Sequence, residues 1–189
     1  MNRITDAVKH LIIINIVFFI ITFVLKLSFS DSLALYFPEN EKFGVWQYVS
    51  HMFIHGSPMH IIFNMYGLWA FGTPLEQMWG RNKFLFFYFS AGFGAGVIYT
   101  LANYYQFNSI LSQLSGLGLS ELDIQNLLNT GSYNSSILES ISERKLSEFY
   151  ATYHTPAVGA SGAVYGVLVA FGMTFPNSKL ALIFFPVPI

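Results

Sequence analysis

The chain has 189 residues, 53% hydrophobic, 18% aromatic and only 10% charged, with a formal net charge of −1. Soluble domains carry roughly 25% charged residues, so these few charges cannot cover a globular surface and the composition selects a bilayer as solvent. The near-neutral balance favours neither nucleic acid nor an acidic ligand as partner. The absence of cysteine removes disulfides, thiolate metal sites and a cysteine nucleophile.

Residues 1–9 are too polar to span, and the run after them lacks a small-residue cleavage site, so it reads as a retained span rather than a signal peptide. That run, about 8–27, is long enough for a helical span of about 20 residues and is interrupted only by Asn15, Thr22 and Lys26. The next apolar stretch, 59–71, is short. It extends to 58–79 if Ser57 is the N-cap and Pro58 the first helical residue. A third span is expected at 83–104. A fourth, 157–175, is closed by Pro176. Residues 181–189 open a fifth that Pro186 and Pro188 interrupt. The basic residues place Arg3, Lys9, Arg81, Lys83 and Lys179 in the cytoplasm, with Lys26 and Lys42 outside. The expectation is an all-α polytopic membrane protein, N-terminus cytoplasmic, in a plasma or inner membrane.

The segment 106–153 breaks the composition. It is rich in Ser, Asn and Leu and carries Glu121, Asp123, Glu139, Glu143 and Glu148. Ser120 with Asp123, and Ser136 with Glu139, resemble capping boxes. An amphipathic helix is expected around 137–150. The segment reads as an extracytoplasmic insertion, either a solvated or interfacial loop with two short helices or a lid beside a site.

Ser161 carries the chemistry. It sits in Gly159-Ala160-Ser161-Gly162 at the start of an apolar run. Flanking glycines let a substrate backbone approach, and free N–H groups at a helix start favour an oxyanion. Alternatively, Gly162 and Gly166 form a close-packing Gly-x-x-x-Gly face. His60 and Asn64 lie one helical turn apart in a span, where a polar pair faces a cavity or a partner helix. Both can donate to an oxyanion, or simply join helices. His51, His55 and His60 could suggest a metal, but there is no His-Glu-x-x-His, and no metal or cofactor is expected. Glu76, between Gly72 and Gly80, is expected to bond neighbouring backbone.

These residues resemble the rhomboid family of intramembrane serine proteases. The stretch Trp46 to His55 resembles the family's approach to its second span, with Gln47 where Arg is usual. His60 and Asn64 match its His-x-x-x-Asn, and Gly72, Glu76 and Gly80 its Gly-x-x-x-Glu-x-x-x-Gly. Gly159 to Gly166 is similar to its nucleophile motif. The resemblance implies a single rhomboid-like helical bundle over 1–189 and cleavage of transmembrane protein substrates by a Ser-His dyad. Ser161 would be the nucleophile, with His60, Asn64 and the Ser161 N–H as oxyanion hole, and Tyr165 packing against the histidine. No histidine here matches that base. His10 and His154 do not fit, so the expectation is that it lies on a span beyond Ile189 and that the chain alone is inactive. An inactive rhomboid-like client-binding protein is the alternative, and a small transporter lined by His60 and Asn64 a third reading.

Overall fold

The computed structural model describes residues 3–26, 30–178, 181–182 and 185–188. Leu27 and Lys179, which the sequence reading puts at a span end and in the cytoplasm, lie outside them.

Helix α1 (Asp6–Phe19) passes into a π-helical turn (Ile20–Val24), and Asp6–Val24 is long and apolar enough to cross a membrane. Thr5 stands at the N-cap without a side-chain cap bond. The carboxylate of Glu76 does that work from a distant helix. Its Oε1 accepts the Ala7 N–H and its Oε2 the Val8 N–H, each at 2.9 Å. A helix start leaves N–H groups unpaired and carries the positive end of the dipole. One buried carboxylate therefore answers two donors and the dipole together. Glu76→Ala is expected to cost about 2–5 kcal/mol of stability by stranding both N–H groups, with Glu76→Gln losing less. Unfolding in detergent measures this, and an unchanged midpoint for the alanine variant would refute it.

After α2 (Ser30–Leu33), α3 (Gln47–Ser50) leads through a 3₁₀ turn (His51–Phe53) to the central helix. Ser57 caps it, its Oγ accepting the His60 N–H at 3.2 Å, with Pro58 in the first turn. The helix runs unbroken over 58–79 as α4 (Pro58–Gly67), a π-helical turn (Leu68–Gly72) and α5 (Thr73–Trp79). Pro74 explains the widened turn, because its ring crowds the carbonyl one turn earlier and it has no N–H to give. Gly80, at φ 80°, ends it in a conformation glycine tolerates.

Helix α6 (Arg81–Gly116) has 36 residues and is also long and apolar enough to cross. It spans roughly 54 Å against a hydrocarbon core of about 30 Å. The sequence reading ends it near 104, yet Phe107, Ile110 and Leu114 continue one apolar face and are buried. What covers them is the insertion, built from α7 (Glu121–Thr130), a 3₁₀ turn (Ser135–Glu139) and α8 (Glu143–His154). Phe107, Ile124, Leu127, Leu146 and Phe149 share this second core with Phe37 of the first loop. The insertion is a packed unit rather than a solvated loop. The Ser120–Asp123 capping box forms. The Ser136–Glu139 box does not, because Ser136 turns its N–H and hydroxyl back to Asn134 Oδ1 at 3.1 and 3.0 Å. The helix expected around 137–150 accordingly begins only at Glu143.

The last apolar helix, α9 (Ser161–Thr174), has 14 residues. Its expected first turn is extended instead. Ala157 forms an antiparallel bridge with Leu35, exchanging two backbone hydrogen bonds of 2.8 and 2.9 Å. Gly162 and Gly166 press α9 onto α6, where added Cβ atoms would lie 2.5 and 2.6 Å from the Cβ atoms of Ala95 and Ala91. Where a fifth span is expected to open, the described residues form a two-stranded antiparallel pair, β1 (Ala181–Leu182) with β2 (Phe185–Pro188). Pro186 and Pro188 lack the N–H groups a helix would need there.

Candidate active site

The approach to α4 is held by Gln47, the residue standing where the resemblance leads one to expect Arg. It is fully buried. Its Oε1 accepts the Tyr36 N–H at 3.1 Å, and its Nε2 donates to Lys42 O at 2.7 Å and Ser32 O at 3.3 Å. A neutral amide with both ends bonded holds the first loop without burying a charge. His51 follows, its Nδ1 2.7 Å from Gln47 O. The His51 carbonyl accepts the Gly159 N–H at 2.9 Å, tying this approach to the loop before Ser161.

His55 is 2% exposed, and its ring meets that of His60 edge-on at 5.0 Å between centroids. Burial first, then the neighbouring His60, pushes His55 down to about 4. It is therefore neutral at pH 7, a buried ring against His60 whose nitrogens have no hydrogen-bond partner among the described residues. The sequence reading considered it as a metal ligand and as the end of the Trp46 to His55 stretch.

His60 and Asn64 occupy one face of α4, His60 half-buried and Asn64 6% exposed. Asn64 Nδ2 donates to His60 O at 3.0 Å, which leaves its second N–H free to turn toward the cavity. Gly159 lies directly against the His60 ring. It has φ 112°, and a Cβ there would sit 2.6 Å from His60 Cε1 and Nε2. Glycine is needed twice, for the backbone conformation and for the ring. Gly159→Ala is expected to displace His60 or Ser161 by about 1 Å and, if the site is catalytic, lower turnover about 10²-fold. Gly56→Ala, with open space at its Cβ, serves as the neutral control. Equal turnover in the two variants would refute the argument.

Ser161 begins α9 and is half-buried. An open cavity of about 400 Å³ is lined by His60, Asn64, Ser161 and Tyr165, with Phe63 and Gly67 beside them. The structure thus brings all four sequence candidates to one place. Tyr165 is 68% exposed and continues as a stripe through Val169 at 61% and Met173 at 81%. His154 and His10 stay away from it. His154 Nε2 bonds Leu128 O in the insertion, and His10 Nδ1 bonds Asp6 O at the start of α1. A hydroxyl at a helix N-terminus, facing an imidazole and an amide, is an arrangement suited to holding a developing negative charge.

The family model described as the rhomboid domain matches residues 42–122. Rhomboid protein 1, mitochondrial, from Saccharomyces cerevisiae is 28% identical over 140 residues, 74% of this chain and 28% of that protein. Rhomboid protease GlpG from Haemophilus influenzae is 32% identical over 77 residues, 39% of this chain and 40% of that protein. GlpG from Salmonella newport is 43% identical over 44 residues, 23% of this chain and 16% of that protein. The matched stretches therefore cover less than half the length of each of these relatives. Over residues 42–122, a stretch that includes His60 and Asn64, the chain is therefore similar to the rhomboid family.

Proposed function

We propose that this protein is an intramembrane serine endopeptidase that cleaves transmembrane proteins, with Ser161 as nucleophile. The observation that carries the reading is the convergence of Ser161, at a helix N-terminus, with His60 and Asn64 around one open cavity. Ser161 Oγ attacks a peptide carbonyl and passes its proton to a histidine base. The tetrahedral oxyanion takes hydrogen bonds from the Ser161 N–H and the side chains of His60 and Asn64. Collapse expels the amine, which takes the proton, and water then hydrolyses the acyl-enzyme.

The exposed apolar stripe of Tyr165, Val169 and Met173 flanks the cavity and is where a helix carrying the base would seat. Tyr104 and Tyr105, both exposed near the polar Gln106 and Asn108, mark the interfacial level of α6. Ala95, which Gly162 touches, lies roughly 14 Å further along the helix. At that depth Ser161 would lie below the interface, and water would reach it through the cavity. With the N-terminus in the cytoplasm of a plasma or inner membrane, the Ser161 end and the insertion lie outside.

The test is labelling of the full gene product in membranes with a fluorophosphonate probe, together with cleavage of a model transmembrane substrate. Labelling at Ser161 with cleavage is expected. A chain that binds the substrate but is neither labelled nor able to cleave it would instead be an inactive client-binding relative.

A further inference from the structure

A second groove lies away from the catalytic cavity, where the first loop meets the insertion. It encloses about 420 Å³, with Phe107, Leu111, Ile124 and Leu128 along its apolar floor and Glu39 and Glu121 at its rim. Glu39 is held in place through its backbone. The Tyr153 hydroxyl donates to Glu39 O at 3.3 Å, while Asn40 Nδ2 donates to Tyr153 O at 2.7 Å. Both rim carboxylates are exposed, and neither is ion-paired among the described residues. Lys42 of the first loop and the two cations of the insertion are already engaged. Lys42 pairs with Asp31 and Arg144 with Glu148, each at 2.8 Å, and Lys145 bonds Gln113 at 2.7 Å. The local field is negative: after burial, Glu41 and Glu39 push the Tyr153 hydroxyl upward.

An apolar floor beneath unpaired carboxylates fits one kind of side chain. Lys and Arg lay an apolar stem on such a surface and present the charged head beyond it. Acidic segments and anionic headgroups are repelled. Phe107 and Leu111 follow the Tyr104–Tyr105 level within two helical turns, so the groove opens within roughly 10 Å of the interface. What reaches that height is the flank of a membrane-spanning helix. The insertion that forms the groove also runs directly into the Leu35–Ala157 bridge and Ser161.

We propose that this groove is an exosite for the Lys- or Arg-bearing extramembrane flank of a transmembrane client. The inference rests on the reading that Ser161 acts on membrane proteins. It is tested by binding, so that the two can fail separately. The Ser161→Ala chain in nanodiscs is titrated with two fluorescent transmembrane peptides that differ only in flank, one carrying Leu-Lys-Lys and the other Leu-Ser-Ser. The basic flank should bind roughly three- to tenfold more tightly. The difference should shrink at high salt and vanish in the Glu39→Gln, Glu121→Gln double variant. That variant should keep its unfolding midpoint, since both side chains are exposed.

Equal binding of the two peptides, or a preference that survives the double substitution, would overturn the exosite. So would a preference that follows the anionic lipid content of the disc. Cleavage of the Leu-Ser-Ser peptide by the full gene product reads the protease proposal independently. Cleavage without a binding preference removes only the exosite. A binding preference without cleavage removes only the protease.

Discussion

Ser161→Ala is expected to abolish cleavage of a transmembrane substrate by the full gene product while leaving the fold intact. Without the Oγ no acyl-enzyme forms, and losses on the order of 10⁶-fold in kcat are typical when a serine nucleophile is removed. The structural cost should be small. Ser161 is half-buried, and its hydroxyl makes no hydrogen bond among the described residues. Such substitutions usually stay within about 0.5 kcal/mol. Cleavage and unfolding measured on the same preparation give the answer. Turnover near wild type would show that another group attacks the carbonyl, and a collapsed unfolding midpoint would show that Ser161 is a packing residue of α9.

His60→Ala and Asn64→Ala should each lower kcat about 10²–10³-fold with little change in KM. In the proposed mechanism they remove donors that matter most once the oxyanion has formed. Their effects should not add, because in that mechanism both would serve the same oxygen from one helix face. His60→Ala also removes the ring that Gly159 packs against and that meets His55 edge-on. His60→Gln is the sharper probe, since it keeps an N–H donor and should recover part of kcat. Asn64→Ala frees the His60 carbonyl from its 3.0 Å bond, so its stability should be measured alongside. Defects confined to KM would reassign the pair to ordinary substrate binding.

Much of this was legible in the residues themselves. Sparse charge and long apolar runs pointed to a membrane, because every unpaired polar group there is costly. Ser57 and Pro58 announced the start of α4, and Ser120 with Asp123 announced α7, because capping is a local transaction between neighbours. His60 and Asn64 were readable as a pair from their spacing on one helix face. Ser161 was readable from its glycines.

Other features depended on contacts between distant segments. Glu76 was expected to bond backbone nearby, and only the tertiary structure decided that this backbone is the first turn of α1. The extension of α6 past Tyr105 was hidden, because Phe107, Ile110 and Leu114 look like a loop until α7 and α8 cover them. The sequence set Ser161 near a helix start but ran the span from Ala157, and the exact boundary was hidden. Ala157 is apolar enough for a span, but Leu35 draws it into a bridge. The fit of Gly159 to the His60 ring, and of Gln47 to the first loop, came from the same source. By itself the sequence determined the solvent, the helices whose signals are local, and the identity of the candidate groups. The tertiary structure alone decided where the helices end and which groups face one another, because those outcomes depend on hydrogen bonds and burial between residues far apart in the chain.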